Sequence, residues 1–407
     1  MPMKRFRSIV FWVHLVAGLS AGIVVVIMSA TGVALTYQRQ MQWWADTRHY
    51  YAAPSAGEDR LPAARLIEVA QAVDPSTPAT TITLRSEPAA PAAVALGTRT
   101  IYLNPYTGHV YGEGTGASWR SFFSTMVSWH RYLAMSGESR PTGRAITGAS
   151  NLLFLFLVLS GIYLWWPRSL GWVQFRNVIW FKGGLRPKAR NFNWHNVLGF
   201  WSAIPLALVV YSGVVISYPW ATNMVYRAFG ETPPAPAAGR SGGPGGRGQA
   251  AEGQGRGGPG QDARASAPSP TASPSVDRFL ASAMAYEPSW TILTARVPTS
   301  PASTTTVTVD RGDGGQPHLR GTLTLDVNTA AVRSWDGFST QSPARRTRSF
   351  LRFAHTGEFF GLTGQTIAGL VSGAAVVLVY TGFALSLRRF REWRGRRNSA
   401  DPVRTAA

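Results

Sequence analysis

The sequence predicts a membrane α-helical protein: four transmembrane helices in two parallel repeats, each repeat carrying an external α+β domain. Three observations predict it. Four apolar runs are long enough to cross a bilayer. Basic residues gather at one side of those runs. The first half of the chain is echoed in the second at a nearly constant displacement.

The 407 residues are 45% hydrophobic and only 15% charged, and 40 Lys+Arg against 20 Asp+Glu give a formal charge of +20. There is no cysteine. That excludes disulfides, thiolate nucleophiles and Cys-ligated zinc or iron–sulfur clusters, so redox chemistry would need a cofactor held by other side chains. A basic chain can bind nucleic acid. Here many of the basic residues sit at the ends of apolar runs, which assigns much of the charge to topology and anionic lipid, with no nucleic acid partner.

The first span, 9–37, has no Asp, Glu, Lys or Arg and follows Lys4, Arg5 and Arg7. It exceeds the ~7–15 residues of a signal-peptide core, so it reads as a span. Residues 38–117 read as external α+β domain 1. Its helix is expected over Leu61 to Val73, with an apolar face of Leu66, Ile67, Val69, Ala70 and Val73. Strands are expected at Thr80–Leu84, Ala92–Leu96, Arg99–Leu103 and His109–Tyr111, with Asn104-Pro105-Tyr106-Thr107-Gly108 as the turn before the last. An amphipathic helix carrying His130 is expected over 118–145. The second span is 146–167. The loop 168–193 has six basic residues and no acidic one, which makes it cytoplasmic.

The third span is 194–220. Residues 231–275 are rich in Gly, Pro, Ala and Arg and read as a disordered linker. Residues 276–340 read as external domain 2, with a helix near Val276–Ala285. Its strands are expected near Thr291–Val297, Thr304–Val309, Gly321–Asp326 and Ala331–Trp335. An amphipathic helix with His355 follows over 341–361, then the fourth span 362–387 and a basic cytoplasmic tail 388–407. Both termini are then cytoplasmic and both α+β segments external.

The repeat shows in single residues. Gly32 follows His14 by 18 positions, and Gly213 follows His195 by 18. Gly148 and Ser160-Gly161 of the second span reappear 221 positions on as Gly369 and Thr381-Gly382. The turn beginning at Asn104 reappears 222 positions on at Asp326. Repeats of this kind place sites between the halves.

Four of the seven histidines, His14, His195, His130 and His355, fall at span edges. Ionisable groups at membrane depth are costly and mark function by default. His14 and His195 belong to the cytoplasmic level, His130 and His355 to the outer one. Each half thus gives one histidine to each level. Zinc usually takes three or four protein ligands, and carboxylates are scarce here. Copper would recruit Met, for which Met126 and Met135 are near. Haem iron needs only two axial imidazoles. Trp12, Trp129, Tyr132, Trp194, Phe200, Trp201 and Phe353 are candidate walls, and Arg120, Arg131 and Arg352 candidate propionate partners. His49, His109 and His318 read as surface residues.

Trp129-His130-Arg131-Tyr132-Leu133 with Gly143-Arg144 and Ser160-Gly161-Ile162-Tyr163-Leu164-Trp165-Trp166 resembles the PepSY-associated transmembrane helix family. So does His355-Thr356-Gly357-Glu358-Phe359-Phe360-Gly361 with Gly364-Gln365 and Thr381-Gly382. The turn Tyr102 to Gly108 resembles that of a PepSY domain. The resemblance covers nearly all of the chain outside the linker and tail. It implies a bacterial inner-membrane protein like the dihaem ferric-siderophore reductases, an oxidoreductase of ferric-chelate type. It implies two b-type haems on His14, His195, His130 and His355, an external ferric-siderophore or other acceptor, and a separate donor, reductase or quinol. The alternative is a membrane-anchored PepSY protein that binds peptides or modulates proteases without redox activity. This chain has Ala330 where the first turn has Gly108.

Overall fold

The computed structural model describes residues 2–52, 54, 58–166, 171–234, 275–298 and 302–399. Most of the linker expected at 231–275 lies outside the described residues, as do 167–170 and 400–407.

In chain order the elements are α1 (Pro2–Leu35), α2 (Gln38–Thr47), α3 (Ala63–Val73), β1 (Ala79–Arg85), β2 (Ala92–Leu96), β3 (Arg99–Leu103) and β4 (Val110–Glu113). Then come α4 (Ala117–Tyr132), α5 (Arg140–Trp165), α6 (Trp172–Ile179), α7 (Pro187–Ser217) and α8 (Pro219–Ala228). The chain ends with α9 (Ser275–Tyr286), β5 (Ile292–Arg296), β6 (Thr304–Asp310), β7 (Arg320–Asp326), β8 (Val332–Gly337), α10 (Pro343–His355) and α11 (Gly361–Ser399). Two compact units emerge: Met1–Tyr37 with Thr125–Pro233 and Ala354–Ala407, and Gln38–Ser124 with Pro234–Phe353.

The first unit is a bundle of four helices, α1, α5, α7 and α11, each long and apolar enough to cross a membrane. In hydrocarbon a backbone must satisfy its own polar groups, and an uncharged run does so as a helix. All four helices begin several residues before the apolar runs or end beyond them, because hydropathy reads only the lipid-embedded part. α1 packs on α5 and α11, and α7 packs on the same two. Small residues permit the approach: a Cβ on Gly18 would meet Leu157 at 3.8 Å, and one on Gly199 would meet Leu378 at 3.8 Å. Val158, Leu206, Val210, Val371 and Ala375 form a core from three of the helices. The spans begin tightly as well. Gly143 lies against the Tyr132 carbonyl and Gly364 against the Gly357 carbonyl, where a side chain would not fit.

The second unit differs from expectation. Two separate α+β domains are predicted, but their strands form one antiparallel sheet of eight, in the order β4-β3-β2-β1-β5-β6-β7-β8. The seam pairs β1 with β5: Ile82 opposes Ala295, Thr83 opposes Thr294 and Leu84 opposes Leu293. A four-stranded unit would leave β1 or β5 as an unpaired edge, and joining them removes both edges. Alternate residues of these strands, Ile82 and Leu84 with Leu293 and Ala295, point into a single core. That core includes Leu66, Ile67 and Ala70 of α3 and Phe279, Leu280 and Ala283 of α9.

The two turns are alike despite the missing glycine. Asn104 Oδ1 accepts from the amides of Tyr106 and Thr107, and Asp326 Oδ1 from those of Asn328 and Thr329. Gly108 has φ 74° and Ala330 has φ 57°. The alanine takes the left-handed conformation its counterpart takes freely. Hydrogen bonds from Arg333 and from the Thr329 and Asn328 amides hold the Asp326 carboxyl down at about 2. Helices α2, α6 and α8 are not foreseen; they are short, and no long apolar run announces them.

Candidate functional site: two imidazole pairs in the helical bundle

His14 is on α1 and His195 on α7, while His130 lies in the last turn of α4 and His355 ends α10. Each ring leans on a hydroxyl–glycine step of a neighbouring span. His14 Nδ1 is 2.8 Å from Ser160 Oγ, and its Cε1 would be 3.6 Å from a Cβ on Gly161. His195 Nδ1 is 2.9 Å from Thr381 Oγ1, and its Cε1 would be 3.7 Å from a Cβ on Gly382. His130 Nδ1 is 3.1 Å from Thr31 Oγ1 and 2.9 Å from the Met28 carbonyl, and its Cε1 would be 3.6 Å from a Cβ on Gly32. His355 Nδ1 is 3.2 Å from Ser212 Oγ and 2.8 Å from the Val209 carbonyl, and its Cε1 would be 3.2 Å from a Cβ on Gly213.

These hydroxyls fix the tautomer. Ser160 donates its proton to the Phe156 carbonyl (2.6 Å), Thr381 to Val377 (2.8 Å), Thr31 to Ile27 (2.7 Å) and Ser212 to Val209 (2.7 Å). Each oxygen then faces its histidine as an acceptor, so Nδ1 carries the hydrogen. The Met28 and Val209 carbonyls, which can only accept, require the same. The lone pair is left on Nε2, the nitrogen that would meet a metal, and a second partner on Nδ1 is the usual support of a ligating histidine.

The rings form two groups. The His130 and His355 centroids are 6.2 Å apart with planes at 65°. His14 and His195 lie within electrostatic reach of each other. The groups sit at different depths, because His14 and Gly32 are 18 residues apart on α1, about 27 Å along a helix. His195 and Gly213 repeat that spacing on α7.

Among the described residues, no cluster of three or more His, Cys, Asp or Glu side chains could hold a metal ion. A tetrahedral protein site of the zinc type therefore has no ligand set here. Paired imidazoles suit a centre that takes two axial protein ligands and brings its own equatorial four. Metal–imidazole bonds of about 2 Å on either side of one iron put such rings roughly 6 Å apart, centre to centre. The 6.2 Å between the His130 and His355 rings matches that spacing.

Several of the other candidate residues have neighbours of their own. Phe200 is stacked on Trp165 at 4.7 Å, and Trp201 is 61% exposed with its indole N–H on the Ile179 carbonyl. Trp12 carries the Arg389 guanidinium at 4.8 Å. Arg120 is paired with Asp46, while Arg131 and Arg352 lie beside the rings of Tyr132 and Phe353. Thr31 and Ser212 escape sequence reasoning because a hydroxyl within a span reads as ordinary helix back-bonding. Their signal is the Ser/Thr-Gly step common to all four spans. Buried Asn151 is also missed; it donates to the Val210 carbonyl (3.1 Å) and lies beside Gly213.

A comparison with curated proteins finds no match. A family model does match, over residues 11–389, and its description is PepSY-associated TM region. With four membrane-spanning helices and an open antiparallel sheet, the chain is a multi-pass membrane protein that belongs to the PepSY-associated TM region family.

Proposed function

We propose that the protein is a transmembrane b-type haem electron-transfer protein, with His14 and His195 as axial ligands at the cytoplasmic level and His130 and His355 at the outer one. The observation that carries this reading is the arrangement of four imidazoles, each with Nδ1 held by a neighbouring span, and the 6.2 Å separation of the outer two. Haem bound at each pair would supply one-electron iron chemistry with both axial positions filled, which suits relay over oxygen binding. The chain's own residues orient the rings, keep Nε2 unprotonated and surround them with apolar helix.

The matching hydrogen bonds support a duplicated architecture. His14 and His195 are 181 positions apart, as are Thr31 and Ser212, Gly32 and Gly213, and Met28 and Val209. Ser160 and Thr381 are 221 apart, as are Gly161 and Gly382. The basic termini and the basic 168–193 segment support placing both termini in the cytoplasm of a bacterial inner membrane. Electrons would then come from a separate cytoplasmic-side donor, a reductase or quinol. The acceptor class is ferric iron chelated by a siderophore. Reduction would loosen such a chelate, because hard oxygen ligands hold Fe(II) less tightly than Fe(III).

The test is a pyridine haemochrome assay on purified protein. Two haems per chain and a Soret band that shifts with dithionite are expected. Colourless protein with all four histidines intact would overturn the reading and leave a membrane-anchored PepSY protein that binds peptides. His14→Ala or His195→Ala should remove one haem and His130→Ala or His355→Ala the other. Equal loss of both from every variant would overturn the pairing.

A further inference from the structure

Arg85 lies on β1, on the sheet face away from α3 and α9. The neighbouring β1 residues Ile82 and Leu84 point into the core, while Thr83 and Arg85 point the other way. Arg85 stands opposite Ile292, Ile292 opposite Asp310, and Asp310 opposite Arg320. The Trp43 ring of α2 covers the Arg85 guanidinium at 3.9 Å, and Arg85 Nε is buried without a hydrogen-bond partner.

The nearby carboxylates are engaged by other cations. Asp310 takes Arg320 Nε at 3.0 Å, and Asp313 takes Arg39 at 3.0 Å. Asp310 and the exposed Glu87 are within electrostatic reach of Arg85, but among the described residues neither is ion-paired with it. Burial lowers the Arg85 pKa from its ordinary value, the mark of a cation short of compensation. The corresponding residue of the seam, Arg296 of β5, is exposed to water and has no such difficulty. Beside Arg85 runs a row of hydroxyls: Thr83 opposes Thr294, Thr294 opposes Thr308, and Thr308 opposes Thr322. Thr83 and Thr294 are hydrogen-bonded at 3.0 Å.

We propose that Arg85 anchors a binding site for a small, singly charged carboxylate with a flat apolar body. Trp43 occupies one face of the guanidinium, so the ligand meets its edge, where a carboxylate pairs as a two-pronged acceptor. Four arginines, Arg39, Arg60, Arg85 and Arg320, against the carboxylates of Asp310, Asp313 and Glu87 leave one positive charge, which matches a monoanion better than a phosphate dianion. Ile292 and the threonine row receive the body of the ligand. The site stands whether or not the chain carries haem.

The probe is benzoate, with inorganic phosphate as the comparison, titrated calorimetrically into the full-length protein in detergent. Benzoate should bind and phosphate should bind more weakly. Arg85→Met should weaken benzoate at least about tenfold, and Arg296→Met should leave it unchanged. The ligand-free Arg85→Met protein should also melt at a higher temperature, since an apolar isostere removes an uncompensated buried charge. An arginine with a merely structural role would give a lower melting temperature. If Arg85→Met does not fold, Arg85→Lys keeps the charge and loses the fork, and should bind benzoate at least about tenfold more weakly. Absence of benzoate binding, unchanged binding in the variant that folds, or a fall in melting temperature for Arg85→Met would overturn the proposal.

Discussion

At the residue scale, the four histidine seats share one chemistry but differ in redundancy. His130 and His355 have both a hydroxyl and a backbone carbonyl at Nδ1, whereas the contact of His14 is the Ser160 hydroxyl alone among the described hydrogen bonds. If His14 ligates haem as proposed, Ser160→Ala should therefore lower haem affinity at that level by about 10–100-fold. Thr31→Val should cost far less at the outer level, since the Met28 carbonyl remains. Haem titration of the two apoproteins distinguishes them. Ring room differs too. A Cβ at Gly213 would meet His355 at 3.2 Å and Asn151 at 2.9 Å, but a Cβ at Gly32 meets nothing closer than 3.6 Å. For haem held by His130 and His355 as proposed, Gly213→Ala should thus perturb its low-spin spectrum, read by electron paramagnetic resonance, and Gly32→Ala should leave it nearly unchanged. The histidines themselves are legible in the sequence, because imidazole at membrane depth is costly and rare. Their hydroxyl partners are not, because any serine or threonine in a span can bond to its own helix.

At the element scale, spans and strands are legible from two periodicities and from charge. β2 and β3 fall where alternation puts them, Ala92–Leu96 and Arg99–Leu103. Helices α2, α6 and α8 are not legible, since short segments of mixed Trp, Arg and Gln carry neither signal. The turns teach a finer lesson. Ala330 adopts φ 57° because Asp326 and its hydrogen-bond set impose the same loop that Asn104 imposes around Gly108. Left-handed backbone costs an alanine about 1–2 kcal/mol. Ala330→Gly should stabilise the sheet by about 1 kcal/mol, less what glycine loses in entropy, and Gly108→Ala should destabilise it. Thermal melts of the two variants, shifting in opposite directions, provide the check.

For the whole molecule, the joining of the α+β segments is what pattern reading misses. Alternation fixes which side of a strand is buried but not which strand lies beside it. Edge pairing is decided by the balance of open hydrogen bonds across the fold. Because Leu293 is fully buried in a core shared by both segments, its effect should travel. Leu293→Ala should cost about 3 kcal/mol and reduce amide-exchange protection of β2 and β3 in the other segment as well as its own. Protection loss confined to β5–β8 would show that the sheet does not unfold as one. The sequence Thr83-Leu84-Arg85 corresponds to Thr294-Ala295-Arg296, and the pairing is centred on the two threonines, with Thr81 facing Arg296 and Arg85 facing Ile292. A strand that meets its own counterpart about its midpoint has the symmetry of a homodimer contact. Separated from each other, the two segments would each expose an edge strand able to pair with a copy of itself.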